Sequence, residues 1–563
     1  MSNRIKFTLP ALFLITLLFL SPSLLMAQAE YVRYNDEVYD FLERLSDLHI
    51  ISVYNDMERP ASRRTIAQKI KEASANEHML NSSDRKLLEK FKAEYEVEIY
   101  GTALHSSNLI ADKKILPFNQ KNKFIYFLHD SGKASIFANL KFDVYQLQRK
   151  IYNGGSNQSA LAYSYGGELR GTFLGKFGFY VKATDGKVSG EKDVARKINE
   201  IKYDYKFNSD PTVISGTDYF NNTEGYITAD FDMLKLKYGR DVKTIGYGPV
   251  KYILGDNIPK FDYLSLALSY KGFSFSFMHG KLMGSMTNRE DPVEGGIRGV
   301  TPKYFVYHRA GFDSRHISVG AGEMIVYSRR EIDLSYLNPF AFYKSLEHAN
   351  QDRDNTLLFI DAANNTIPGL KVTTSIMLDD MTVGKIGKGW YGNQLLFNAA
   401  VFSSNLYKIA PVDLQLQYTR INPYVYTHRI SDNSYSNSGN PLAAPLLPNS
   451  SSVFMRAVYH PMYNLKFRLD MSYSVHGANE LNGDGTIKRN VGGDPAVGYR
   501  LGDSQTANFL DGIREHYRTV SLTTTYEPWK DYFLSLQLEM ENNSLQASAR
   551  KQLYSVLIFD FKL

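Results

Sequence analysis

The sequence predicts a mainly β fold, a transmembrane antiparallel up-and-down β-barrel of about 18–20 strands behind a small N-terminal helical bundle. Three observations carry that expectation. Apolar side chains alternate with small or polar ones over most of the chain after residue 95, the period that a strand imposes by throwing successive side chains to opposite faces. The connectors between these segments run short and long in turn, as in barrels with tight turns at one rim and long loops at the other. The final alternating segment, Leu553 to Leu563, reaches the carboxyl end, so pairing it with the first strand leaves no sheet edge exposed.

Composition narrows the class. The 563 residues include 40 Tyr, 33 Phe, 2 Trp and no Cys, so an exported chain would carry no disulfide framework. Mean hydropathy is −0.32, an average that lumen-facing residues dilute in a barrel. The net charge of +6 includes Arg4 and Lys6 of the leader, and the remainder is too small to argue for nucleic acid. Beyond the leader no stretch approaches the ~20 apolar residues of a spanning helix.

Residues 1–29 read as a signal peptide: Arg4 and Lys6 form a basic start, Phe7 to Leu20 is largely apolar, and Ala27-Gln28-Ala29 is an A-x-A cleavage site. Residues 30–95 change period. Val38, Phe41, Leu42, Leu45 and Leu48 follow the spacing of one helix face. Ser62 is a candidate N-cap for a second helix through Ile66 and Ile70, and Ser83-Asp84 open a third carrying Leu87, Leu88, Phe91 and Tyr95. Such stripes make a packed three-helix bundle; a docking surface for a periplasmic partner is the functional alternative.

Residues 96–563 form the barrel in this reading. Its clearest unit is Asp262 to Gly280. Leu264, Leu266, Leu268 and Tyr270, then Phe273, Phe275 and Phe277, alternate with Ser and Ala. Lys271-Gly272 is a two-residue hairpin turn, so Leu268 should face Phe275 and Tyr270 should face Phe273. The same alternation marks 161–173, 177–181, 227–236, 303–330, 356–378, 393–427, 453–475 and 520–540. Long polar connectors fall at 184–221, 240–261, 281–301, 337–354, 428–451 and 477–515. Lys466, Arg468 and Asp470 alternate with Leu465, Phe467 and Leu469, which suits a wet lumen opposite lipid.

Leader, bundle and barrel together resemble the Wzi capsule-assembly family of outer-membrane proteins over Tyr34 to Leu563. The resemblance rests on VYDFLERLSDLHII…RPASRRTIAQKI in the bundle, YGRDVKTIGYGP at 238–249, EMIVYSRREIDLSYLNPFAFY at 323–343 and DRDNTLLFIDA at 352–362. It implies a lectin-like, non-enzymatic surface protein for capsular or other surface polysaccharide. That protein would sit among outer-membrane lipid and lipopolysaccharide, with its bundle in the periplasm and its long loops outside. A porin-like diffusion channel and, more remotely, an outer-membrane hydrolase are the other readings.

Two stretches stand out as polysaccharide-binding candidates. The 240–261 connector carries Arg240, Lys243, Tyr247 and Tyr252; aromatic faces stack on sugar rings, and surplus positive charge suits an acidic glycan. Its bland reading is a structured loop with Tyr at the headgroup belt. Arg329 and Arg330 follow Glu323 and suit bidentate carboxylate capture, against an ion-pair ladder in the lumen. Asp352, Asp354 and Asn355 offer oxygen ligands for Ca²⁺, against ordinary turn chemistry. No Gly-rich phosphate loop, zinc His pair or nucleophile elbow is present, so no enzyme activity, metal or cofactor is expected.

Overall fold

The computed structural model describes residues 29–113, 118–130, 133–152, 155–204, 207, 218–289, 297–545 and 549–563; the leader up to residue 28 lies outside them. Helix α1, Glu37–Asp47, starts where the Asp36 side chain accepts the Val38 N–H. Helix α2, Arg63–Ala75, is capped by Ser62 as its sequence suggests. Helix α3, Ser82–Glu94, opens one residue before the predicted pair, because Asn81 supplies the capping oxygen to Asp84 N–H. A short α4, Glu96–Tyr100, ends on Gly101 in the left-handed region, φ 68°. Val38, Leu42, Leu45, Ile66, Ile70, Leu88 and Tyr95 form the closed core of this bundle.

Eighteen antiparallel strands close into a barrel. In chain order they are β1 Ala134–Ile151, β2 Gln158–Phe173, β3 Phe177–Gly190, β4 Tyr219–Asp230, β5 Leu234–Asp241 and β6 Phe261–Tyr270. Next come β7 Phe273–Arg289, β8 Ile297–Asp313, β9 Ile317–Ser328, β10 Asn355–Ile367, β11 Leu370–Asp380 and β12 Gln394–Ser403. The last six are β13 Val412–Ile421, β14 Ser450–Met462, β15 Leu465–Ala478, β16 Ile513–Trp529, β17 Tyr532–Ser544 and β18 Ala549–Lys562. Closure pairs β18 with β1, from Gln552 opposite Ile151 to Lys562 opposite Lys141. The short strand Tyr126–Asp130 lies on the free lower part of β1. Several boundaries move: β3 continues to Gly190, where a polar loop was expected from Thr184, and β9 stops at Ser328, so Arg329 and Arg330 lie beyond its end.

The β6–β7 hairpin has the expected register, with Leu268 opposite Phe275 and Tyr270 opposite Phe273. Lys271 and Gly272 both take positive φ, 48° and 87°, the requirement of a tight hairpin whose twist matches its strands. The outward residues stay exposed, Phe273 at 65% and Tyr270 at 57%, because lipid is their solvent in such a barrel. Inward residues pair instead: Arg309 with Asp361 at 2.7 Å, Lys141 with Asp143 at 2.9 Å, and Arg456 with Asp470 at 2.7 Å.

The bundle sits in the short-turn rim. Its contacts run around that rim: Asn55 to Asp313, Asn365 to Ser46 O, Arg44 to Asp413, and Lys530 to Glu94. Among the described residues no helix is long and apolar enough to cross a membrane.

Candidate functional site

Inside the barrel two bodies meet. From one rim comes the bundle, whose Glu58-Arg59 segment pairs with Thr244-Ile245. From the other rim the 242–260 loop folds inward. Ile245, Tyr247, Tyr252, Leu254 and Ile258 of this loop pack with Val425, Tyr426, Tyr435 and Leu442 of the 422–449 loop. Both rest on inward residues of the wall, including Tyr263, Met278, Phe305, Met324, Phe359 and Met377. Removing on the order of ten such apolar side chains from their core would cost about 1.5–3 kcal/mol each, so these loops are a fixed filling rather than a swinging gate.

Ion pairs hold the filling to the wall. Lys371 of β11 stands 2.9 Å from both Glu43 and Asp56. Lys243 reaches Glu58 at 2.6 Å, and Glu58 also accepts from the Tyr307 hydroxyl at 3.0 Å. Burial pushes the Lys251 ammonium down to about 8, against the opposing pull of Asp56.

This arrangement decides where the sequence candidates lie. Lys243, Tyr247 and Tyr252 are inside the filling; Tyr247 is fully buried, its hydroxyl donating to Asn55. Arg240 faces outward on β5, half exposed and bidentate to Asp262 at 2.9 and 2.7 Å. Arg329 is exposed and donates to Asp432 at 2.8 Å. Arg330 is bidentate to Asp354 at 2.8 and 2.6 Å. The six do not converge on one surface, and the basic surplus of the 240–261 connector is consumed internally, Lys260 pairing with Glu224. Asp354 also accepts from Tyr336 at 2.7 Å, which turns it away from the Ca²⁺ grouping considered from the sequence; among the described residues no three His, Asp or Glu side chains gather around a possible ion.

The long-loop rim carries a cluster that the candidates missed. Loops 381–393, 422–449 and 479–512 meet there. The Tyr391 ring stacks on Tyr499 at 3.8 Å and 12°, with Trp390 4.5 Å and Tyr424 5.8 Å away. Lys385 Nζ stands 3.0 Å over the Trp390 ring, and Arg500 is exposed beside the shelf, donating to Asp503 at 2.9 Å. Backbone bonds fix the three loops together: Tyr391 N–H to Gln505 O, Ala507 N–H to Gly389 O, and Tyr424 N–H to Gly492 O. Gly492 has φ 71°, and a Cβ there would meet Tyr424 at 2.5 Å. The signal was legible: one of only two Trp residues sits in Gly387-Lys388-Gly389-Trp390-Tyr391-Gly392.

A polar cavity of about 500 Å³ remains between the bundle and the wall, lined by Arg33, Lys90, Glu94, Lys141, Glu168 and Asp560 among others. A neighbouring cavity of about 420 Å³ shares Arg33 and Asn35 and is rich in tyrosines, among them Tyr31, Tyr34, Tyr203 and Tyr226.

An apolar outer wall, a polar inner wall and full closure define an outer-membrane β-barrel, here one with a filled lumen. Among solved structures the chain is similar to Wzi from Escherichia coli, described as an outer-membrane protein involved in group 1 capsule assembly and a carbohydrate-binding β-barrel. That match has a TM-score of 0.55 and 12% identity, covering 95% of this chain and 99% of that one. The Pseudomonas aeruginosa proteins OccK8 and OprD match at TM-scores of 0.43 and 0.42, with 12% and 11% identity, each over 76% of this chain and 98% and 93% of theirs. No protein-family model and no curated protein sequence matches the chain.

Proposed function

We propose that this chain is a non-enzymatic outer-membrane barrel that holds surface polysaccharide at the cell exterior, with the long-loop rim outward and the bundle in the periplasm. The observation that carries the reading is the lumen: a bundle and two inward loops meet as one packed body, which suits holding better than passage. The Trp390–Tyr391–Tyr499 shelf is its contact surface, since aromatic faces stack on sugar rings and Lys385 and Arg500 stand beside them. The chemistry supports a glycan carrying some negative charge. The likeness to a carbohydrate-binding barrel supports the same reading. The test is binding of the purified protein to an array of bacterial surface glycans, alongside Trp390→Ala and Tyr499→Ala. Retention by the parent and weakened retention by both variants is expected; equal retention by all three removes the shelf from the mechanism.

One observation favours a second reading, a selective diffusion channel: the polar cavities along β1–β4 and β15–β18 leave space beside the filling. Steady single-channel conductance in a planar bilayer would move the assignment to that reading.

A further inference from the structure

The 329–354 segment, which links β9 to β10, does not stay at the rim. It runs down the outside of the barrel. On β8 and β9 the inward residues are Phe305, Tyr307, Met324 and Val326; Val306, His308, Glu323 and Ile325, in alternation with them, face outward. His308 and Glu323 are direct cross-strand partners on that outer wall, with His308 Nε2 3.2 Å from a Glu323 carboxyl oxygen. Ionisable groups on a lipid-facing wall are costly unless paired and covered. Here they are covered: the Tyr343 ring stacks on His308 at 4.4 Å, and Tyr336 and Tyr343 are buried against Tyr304, Val306, Ile325 and Tyr327.

The pair has a task. Irregular backbone cannot lie in hydrocarbon unless its polar groups are satisfied within the protein. Glu323 accepts from the backbone N–H of Tyr343 at 2.7 Å and of Lys344 at 3.5 Å. His308 Nδ1 lies 2.9 Å from the Pro339 carbonyl. Elsewhere the segment serves itself, Asn338 accepting from Phe340 N–H and Asp333 from Ser335 N–H, or leans on β9, where Tyr327 accepts from Asp333 N–H.

Depth follows from one contact. Phe340 stacks on Phe275 at 4.8 Å. Phe275 lies just past the Lys271-Gly272 turn, and at a rise of ~3.3 Å per residue on a tilted strand it is within roughly 10 Å of the short-turn rim. The segment leaves the wall at Ser328, the opposite end of β9. It therefore crosses much of an apolar band that is about 25 Å tall in such barrels. What it turns outward is apolar: Phe340, at that depth, is 71% exposed and Phe342 56%, while Leu334, nearer the Ser328 end, is 79% exposed. Its exposed ionisable residues, Arg329, Glu331, His348, Asp352 and Arg353, lie toward its two ends; between Glu331 and His348 the exposed polar residues are the uncharged Asn338, whose side chain accepts from Phe340 N–H, and Ser345.

We propose that residues 331–349 form a re-entrant flap embedded in the bilayer, pinned by His308 and Glu323, whose outer face of Leu334, Phe340 and Phe342 is a contact surface for lipid acyl chains. The occupant is inferred from continuity: these side chains extend the exposed apolar wall of Leu264, Tyr270 and Phe273. The proposal rests on the barrel's class and not on the glycan reading.

Fluorescence quenching tests it on the full chain in phosphatidylcholine vesicles. Trp390 and Trp529, the two native tryptophans, are replaced by Phe, and Phe340→Trp or Leu334→Trp supplies a single reporter. Phe273→Trp serves as the wall reference and Leu501→Trp as the aqueous one. Folding of each is checked by heat-modifiable gel mobility, so a misfolded reporter is replaced by its sister. Loss of emission with acyl-brominated lipid, matching the Phe273 reporter, and no loss with aqueous iodide are expected at 340 and 334. Quenching by iodide in place of bromine would overturn the proposal, because the flap then faces water. Protection from both would overturn it too, because a second copy or another protein then covers the face. With Glu323→Ala added, emission at 340 should shift from bromine-sensitive to iodide-sensitive; an unchanged pattern would show that the pin does not hold the flap.

Discussion

Glu94 at the end of α3 and Lys530 in the β16–β17 turn stand 2.7 Å apart, so the last turn of α3 is tied directly to the barrel rim. Lys90, one turn earlier on α3, bridges Glu37 of α1 and Glu527 of β16 at 2.9 and 2.6 Å. The bundle is thus docked by charge at one side and by apolar packing against Tyr463 of the β14–β15 turn at another.

Acid should loosen this docking. Burial alone would raise the Glu94 carboxyl, but Lys530 beside it, and then Arg63, hold it down to about 2 from 4.5. A carboxylate whose folded pKa is depressed contributes stability that is present above its unfolded value and lost as pH falls through the folded one. The contribution should therefore be complete above about 4.5 and fade toward 2. Glu37 shifts the same way: Lys90, Lys466 and His460 overcome its burial. Protease cleavage between α1 and α3 should rise over that window while the heat-modifiable barrel band persists. A flat cleavage profile would count against the ion-pair latch.

Lys371→Met should release the bundle more severely. It leaves the buried Glu43 and Asp56 carboxylates without the ammonium both share, a loss of about 3–5 kcal/mol for a broken buried pair. Hydrogen exchange of α1 amides should accelerate accordingly, with β15–β18 unaffected.

Gly492→Val should disorganise the aromatic shelf without unfolding the barrel. Its Cβ would sit 2.5 Å from the Tyr424 ring at a φ of 71° that a β-branched residue resists. Glycan retention should fall as in Tyr499→Ala, and barrel gel mobility should stay that of the parent.

Tyr499→Ala removes one face of a ring pair 3.8 Å apart. It also takes from a bound sugar one aromatic face; a ring contact is worth about 0.5–1.5 kcal/mol beyond area burial, so glycan affinity should weaken about two- to tenfold by titration. Tyr499→Phe should keep it.

Much of the wall was legible because strand chemistry is local. The side-chain period, the Lys271-Gly272 turn and the Ser62 cap each depend on a few adjacent residues, and each reappears in the structure. The candidate binding residues were not legible in the same way. Lys243 and Tyr247 look like loop residues free to meet a ligand, yet the 242–260 loop turns inward and buries Tyr247. Arg330 looks like a carboxylate clamp and is one, for the chain's own Asp354.

The alternation of apolar and polar side chains, with connectors that run short and long in turn and an alternating last segment, determined a sheet closed on itself with an apolar outside, because each of these features is written locally along the chain. Which loops turn inward, which one lies on the outer wall, and which aromatic rings remain at the rim were decided only when distant segments met. Glu58 with Ile245, Phe275 with Phe340, and Tyr391 with Tyr499 are contacts between segments far apart in the chain, and no local period encodes them.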